Sequence, residues 1–272
     1  MLTDRPPIEL LRPHVFRGDA VLAVFLAFGT VTFAVTYALS WTVDTRRLTS
    51  PYLFLSETID YAPSSCVGSF LLSPACALMA LVVLLRKEQL AYVSPPLRLW
   101  WLGPVGALGG HGVASFQVHN APLVHFTFAG VFFGALTLYV MASVRHERAH
   151  AVPVRSELCA TIRFVSAILA PLLVLAAAAV APFIAAAVAA GEQVDLDDSS
   201  DAAAGPRIAR YIALLATIEI TVYLNFAAHF ASLHPELRAL QISFKVTRLG
   251  AMPPVGDGSL DEPFINFVAA QA

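Results

Sequence analysis

Charge is what this sequence has least of. Only 13% of its 272 residues are Asp, Glu, Lys or Arg, about half the share that a soluble domain needs to clothe its surface. The net charge of −2 excludes the basic surface by which proteins hold nucleic acid. Cysteine is scarce as well. Cys66, Cys76 and Cys159 are an odd set, widely spaced; they exclude a disulfide framework and leave no CxxC or zinc-type spacing. Asn120, Asn225 and Asn266 are each followed by the wrong residues for a glycosylation sequon, so no N-linked glycan is expected. The chain also lacks G-x-S-x-G, HExxH, a P-loop and a dinucleotide fingerprint. No catalytic residue and no cofactor is therefore expected.

Apolar residues are present in abundance, at 57% of the chain, and mean hydropathy is +0.69. Lipid is the solvent that such a composition suits. A helix needs about 20 mostly apolar residues to cross about 30 Å of hydrocarbon. Stretches of that kind run over 20–41, 65–85, 122–144, 162–188 and 211–233, with a weaker, glycine-rich one at 97–117. The first is too long for a signal-peptide core and lacks a small-residue cleavage site, so it reads as a retained span. The predicted fold is all-α: a polytopic bundle of six transmembrane helices, preceded by residues 1–19 and followed by a tail, 234–272.

Lys and Arg in short loops set orientation. With the N-terminus inside, 13 basic residues fall on the inner side against four outside, Arg46, Arg47, Arg207 and Arg210. The bias largely disappears if the weak third stretch fails to cross. Both termini are therefore expected in the cytoplasm. The segment Gly191–Pro206 is acidic and without aromatics, and is expected to be solvated. Leu237, Leu240 and Phe244 share a helical face in the tail and predict an amphipathic helix along the inner surface.

Spans associate through small residues. Gly106 and Gly110 in the third stretch, and Gly130 and Gly134 in the fourth, form two GxxxG patterns joined by a short turn at His119–Ala121; they predict a tight hairpin. Pro171 and Pro182 predict kinks in the fifth span. Ionisable groups at membrane depth cost several kcal/mol and need a reason. Glu219 lies between Ile218 and Ile220, about 12 Å into the last span at 1.5 Å per residue. It is either a packing acid or part of a headgroup site. His111, His119 and His125 fall near the same end, and each is also explained as a packing or capping residue; their spacing fits no metal motif. Asn225 and His229, one turn apart, are expected to hydrogen-bond between helices. In the first loop, Glu57 and Asp60 would hang over the outer mouth of the bundle, although on the residues alone an ordinary solvated loop with Ser64 or Ser65 capping the next helix is the favoured reading.

Three blocks resemble one family. Pro51–Phe70 resembles its first-loop pattern through Ser56, Glu57 and Thr58, with Ile59 in place of a glycine and Ser64 in place of a Glu. Gly106–Tyr139 resembles its glycine-rich span ending in Phe116-Gln117, followed by His125, Ala129, Phe133 and Tyr139; Phe126 and Phe128 replace the usual acid and glycine. Glu219 stands for the buried acid of the last span. The family contains the damage-regulated autophagy modulators, the Frag-type Golgi proteins that assist GPI-anchor lipid remodelling, and the Sfk-type regulators of phosphatidylinositol 4-kinase. The resemblance implies six spans, cytoplasmic termini, and residence in lysosome, Golgi or plasma membrane. It implies a non-catalytic regulator of lipid organisation or membrane trafficking, whose partners are membrane lipids, membrane proteins or cytosolic proteins. Participation in GPI-anchor remodelling and a channel or transporter are the alternatives. Candidate headgroup residues are Glu57, Asp60, His111, His119, His125 and Glu219.

Overall fold

The computed structural model describes residues 14–43, 54–189, 206–244 and 267–269. The acidic stretch before the last span, Arg46 and Arg47, and the proline-containing part of the tail lie outside the described residues. The elements are strand β1 (His14–Arg17), helix α1 (Gly18–Val43), a 3₁₀ turn (Glu57–Ile59), α2 (Ser64–Val93), α3 (Leu102–Ser115), α4 (Pro122–Ala149), α5 (Glu157–Ala189), α6 (Pro206–Ala231), a short α7 (His234–Leu237), β2 (Leu240–Phe244) and β3 (Phe267–Ala269). Among the described residues, five helices are long and apolar enough to cross a membrane. The chain is an all-α, multi-pass integral membrane protein.

Helix α1 turns mostly small or polar groups inward, whereas α2, α4 and α6 bury large apolar side chains such as Leu85, Leu136 and Phe230. Beyond Gly18 and Asp19, the buried residues on α1 are Leu22, Gly29, Thr32, Thr36 and Ser40, a stripe at helical spacing. Thr32 returns its hydroxyl to the Phe28 carbonyl at 2.6 Å, so burial leaves no unmet donor. Leu172, Leu175 and Leu214 remain exposed, facing the region that lipid would occupy.

The third helix departs most from expectation. It has 14 residues, about 21 Å at 1.5 Å per residue, and is shorter than the 97–117 stretch that announced it. Helix α2 compensates by running past the expected Leu85 to Val93. Ser64 opens α2 and makes no side-chain cap, so the capping role expected for it, or for Ser65, does not arise. Helix α5 is continuous through Pro171 and Pro182.

The hairpin of α3 and α4 is close, but its glycines divide the work differently from the prediction. A methyl on Gly109 would stand 2.5 Å from the Phe132 backbone nitrogen, and one on Gly112 would stand 2.1 Å from the Phe128 ring. Gly106 abuts Leu136, and Gly110 abuts the Cys76 sulfur and the Phe132 ring. Gly130 and Gly134 have nothing within 4 Å of an added methyl. The close approach is made instead by Gly106, Gly109, Gly110 and Gly112, four of the five glycines on α3, along another face of α4. The tail also departs from the prediction. After the single turn of α7 the chain extends, and β2 pairs antiparallel with β1, Ile242 opposite Phe16, and with β3 on its other edge. Leu237, Leu240 and Ile242 are buried, so the central strand of a three-stranded sheet, not a surface helix, covers this end of the bundle.

Candidate functional site

The two ends of the bundle hold different chemistry. At the end carrying the first loop, Glu219 projects from α6 beneath residues 54–60. Its Oε2 accepts the Leu55 N–H at 2.8 Å, and the Ser56 N–H and hydroxyl also donate to it. These donors sit just ahead of the 3₁₀ turn, where successive N–H groups point the same way and favour a carboxylate. Thr58 reinforces the docking: its hydroxyl donates to the Leu55 carbonyl at 2.7 Å and lies 2.9 Å from that of Thr36 on α1. The first-loop block and the buried acid are therefore one unit, with the acid gripping the loop by its backbone.

Under this loop lies a cavity of about 340 Å³ reached by all six long elements of the bundle, from Phe33 on α1 to Tyr223 on α6. Phe132, Phe133, Leu215 and Ile218 line it, and its ionisable side chains are Glu219, His125, Cys76 and Tyr223. Gly130 and Gly134 form part of the wall. Phe126 and Gly130 are themselves exposed, so the cavity opens sideways beside α4. The absence of side chains on those glycines is what makes the opening.

The expected site residues separate into groups. His125 and Glu219 meet at the cavity. His125 is 2% exposed and sits 2.6 Å from the Phe116 carbonyl through Nδ1; a carbonyl only accepts, so Nδ1 carries the proton. Glu57 and Asp60 do not hang over an open mouth. Glu57 accepts the Phe54 N–H at 3.2 Å. Asp60 is buried and accepts the His119 N–H at 3.0 Å, and the Tyr61 hydroxyl meets His119 Nδ1 at 3.2 Å. These residues lock the first loop to the turn between α3 and α4. His111 stands apart on an exposed face, 3.1 Å from the Ser73 hydroxyl. Among the described residues no three His, Cys, Asp or Glu side chains gather as metal ligands would.

The opposite end holds a cluster that the sequence reading missed. Arg86 on α2 pairs with Glu147 on α4 at 2.5 Å; Arg163 on α5 reaches Glu147 at 3.4 Å and Glu236 on α7 at 2.7 Å. Arg163 also donates to the Ser232 hydroxyl and carbonyl at 3.1 and 2.6 Å. All four charged side chains are buried. The available signal was two acids, Glu147 and Glu236, placed at the ends of apolar stretches that otherwise end in basic residues. Nearby, Asn225 meets the expectation by donating to the Ser166 carbonyl at 3.3 Å. His229 does not, since both its ring nitrogens are buried without a hydrogen-bond partner.

A helical bundle with a loop-capped apolar cavity at one end and a neutralised ionic knot at the other is the architecture of a multi-pass membrane protein with an internal pocket. The family is set by sequence: the Frag1/DRAM/Sfk1/Cwh43P N-terminal domain model matches residues 19–240, and the chain belongs to that family. The protein is similar to Modulator of macroautophagy TMEM150B of Danio rerio, with 27% identity over 153 residues, which cover 52% of this chain and 66% of that relative. No solved structure matches the chain.

Proposed function

We propose that the protein is a non-catalytic membrane regulator whose cavity takes the apolar part of a membrane lipid and reports its presence through the first loop. The observation that carries this reading is the join between cavity and loop: the cavity wall includes Glu219, and the same carboxylate holds Leu55 and Ser56. A lipid chain or ring entering beside Gly130 would meet mainly apolar surface, with Glu219 and His125 available to its polar end. The similarity to a relative named as a modulator of macroautophagy supports autophagic membranes as the setting. The Lys and Arg count supports cytoplasmic termini, which puts the first loop and the cavity mouth toward the lumenal or outer leaflet.

The test is complementation of autophagic flux and lipid distribution in cells lacking the protein. Gly130→Phe fills the cavity from a position where an added side chain meets open space, so the fold should survive. Glu219→Ala releases the loop. Both are expected to lose most of the complementing activity while keeping normal abundance and location. Full complementation by both variants would sink the proposal.

A further inference from the structure

A second site lies at the ionic end, outside the buried knot. Helix α2 ends at Val93, and Pro95 and Pro96 prevent its continuation. The chain then runs sideways through Leu97 and Trp100 before α3 starts at Leu102. Because α3 starts late, a groove of about 1260 Å³ is left between this connection, the last turns of α4, and α5. The connection is held in place by the Ser94 hydroxyl, 2.9 Å from His146 Nε2 on α4.

The walls of the groove are of two kinds. Leu138, Met141 and Phe164 are exposed apolar side chains along the bundle flank. Arg98, Arg145 and Arg148 are exposed at the end of the bundle. Among the described residues none of these three arginines has a carboxylate partner, whereas Arg86 and Arg163 at the same end each pair with one. The Arg148 guanidinium lies over the Phe164 ring, 4.1 Å from its centroid, which fixes a cation at the seam between apolar and basic walls. Guanidinium forks match phosphate oxygens, and an apolar wall continuous with a cationic rim matches a molecule with a phosphate head and hydrocarbon tails.

We infer that this groove binds an anionic glycerophospholipid, with the phosphate on Arg98, Arg145 and Arg148 and one acyl chain along Leu138, Met141 and Phe164. Basic pockets between membrane helices hold such head groups where the leaflet supplies them. The inference is independent of the cavity proposed above, since the two sites share no lining residue.

Trp101 lines the groove and Trp100 adjoins it; Trp41 is the one other tryptophan of the three. The Trp41→Phe full-length protein, reconstituted in nanodiscs, therefore carries its own reporter. Brominated phosphatidylserine should quench its fluorescence more strongly than brominated phosphatidylcholine at equal mole fraction. The expected preference is about fivefold, because both lipids offer the phosphate but only phosphatidylserine carries a net negative charge, worth about 1 kcal/mol beside a basic side chain. Changing Arg98, Arg145 and Arg148 together to Gln should bring the two lipids to equal quenching, with an unchanged melting temperature. Equal quenching in the parent protein, or an undiminished preference in the triple variant, would overturn the assignment. Loss of the preference on adding millimolar inorganic phosphate would overturn the lipid as its source, showing a site for free phosphate.

Discussion

Two carboxylate sites, one at each end of the same bundle, solve one problem in different ways. At the ionic end Glu147 and Glu236 are neutralised by Arg86 and Arg163, and the balance is local and complete. At the loop end Glu219 meets backbone and hydroxyl donors. A guanidinium partner fixes geometry through several side chains and welds helices together. Amide donors hold a short loop by its backbone alone, so the second arrangement is the one that the proposed function expects to open. The ionic end is a fastening, and the loop end is a latch over a space.

That contrast predicts the largest effect for Arg163→Ala, which strands the buried Glu236 carboxylate and leaves Glu147 with Arg86 alone. Loss of one partner from such a cluster costs about 3–5 kcal/mol, and thermal unfolding in nanodiscs should show it as a large drop in melting temperature. Arg163→Lys should rescue only part of this, because one ammonium cannot supply the Nε, Nη1 and Nη2 bonds together. A melting temperature within a degree or two of wild type would remove the distinction between the ends. Glu219→Gln should be milder, about 0.5–1.5 kcal/mol for each hydrogen bond that it weakens, and local. Limited proteolysis and hydrogen exchange should find residues 54–60 opened with the rest of the bundle protected; global loosening would mean that the latch is a fastening after all. The smallest change sharpens the glycine comparison. Gly130→Ala should alter stability by less than about 0.5 kcal/mol, whereas Gly109→Ala, where the new methyl meets backbone, should cost about 1–3 kcal/mol. Equal effects would show that both helices bear on each other as the paired GxxxG patterns first suggested.

The long helices were legible because an apolar run of bilayer length has few other homes. The close approach of α3 to α4 was legible from glycine spacing, but which glycines face the neighbour depends on how α4 is rotated, and composition does not record that. Glu219 stood out as an acid among isoleucines. Its partners did not, since Leu55 and Ser56 donate backbone groups that every sequence has. Arg86 and Arg163 were counted as surface charges because their acids lie on other helices, so the pairing is visible only after folding. The tail was misread for a related reason: Leu237, Leu240 and Phe244 satisfy helical spacing, but a strand at the far end of the chain offers Leu240–Phe244 a ladder of hydrogen bonds that local periodicity cannot anticipate.

The ladder between His14–Arg17 and Leu240–Phe244 also fixes a parity. Two strands cannot share hydrogen bonds through a sheet of hydrocarbon, so the path joining them must return to the face it left. Five crossings would deliver the second strand to the wrong aqueous compartment. An even number of crossings needs one beyond the five helices long enough to span; the 14-residue α3 is the element expected to supply it, and cysteine-accessibility labelling of the connections on either side of it would check this.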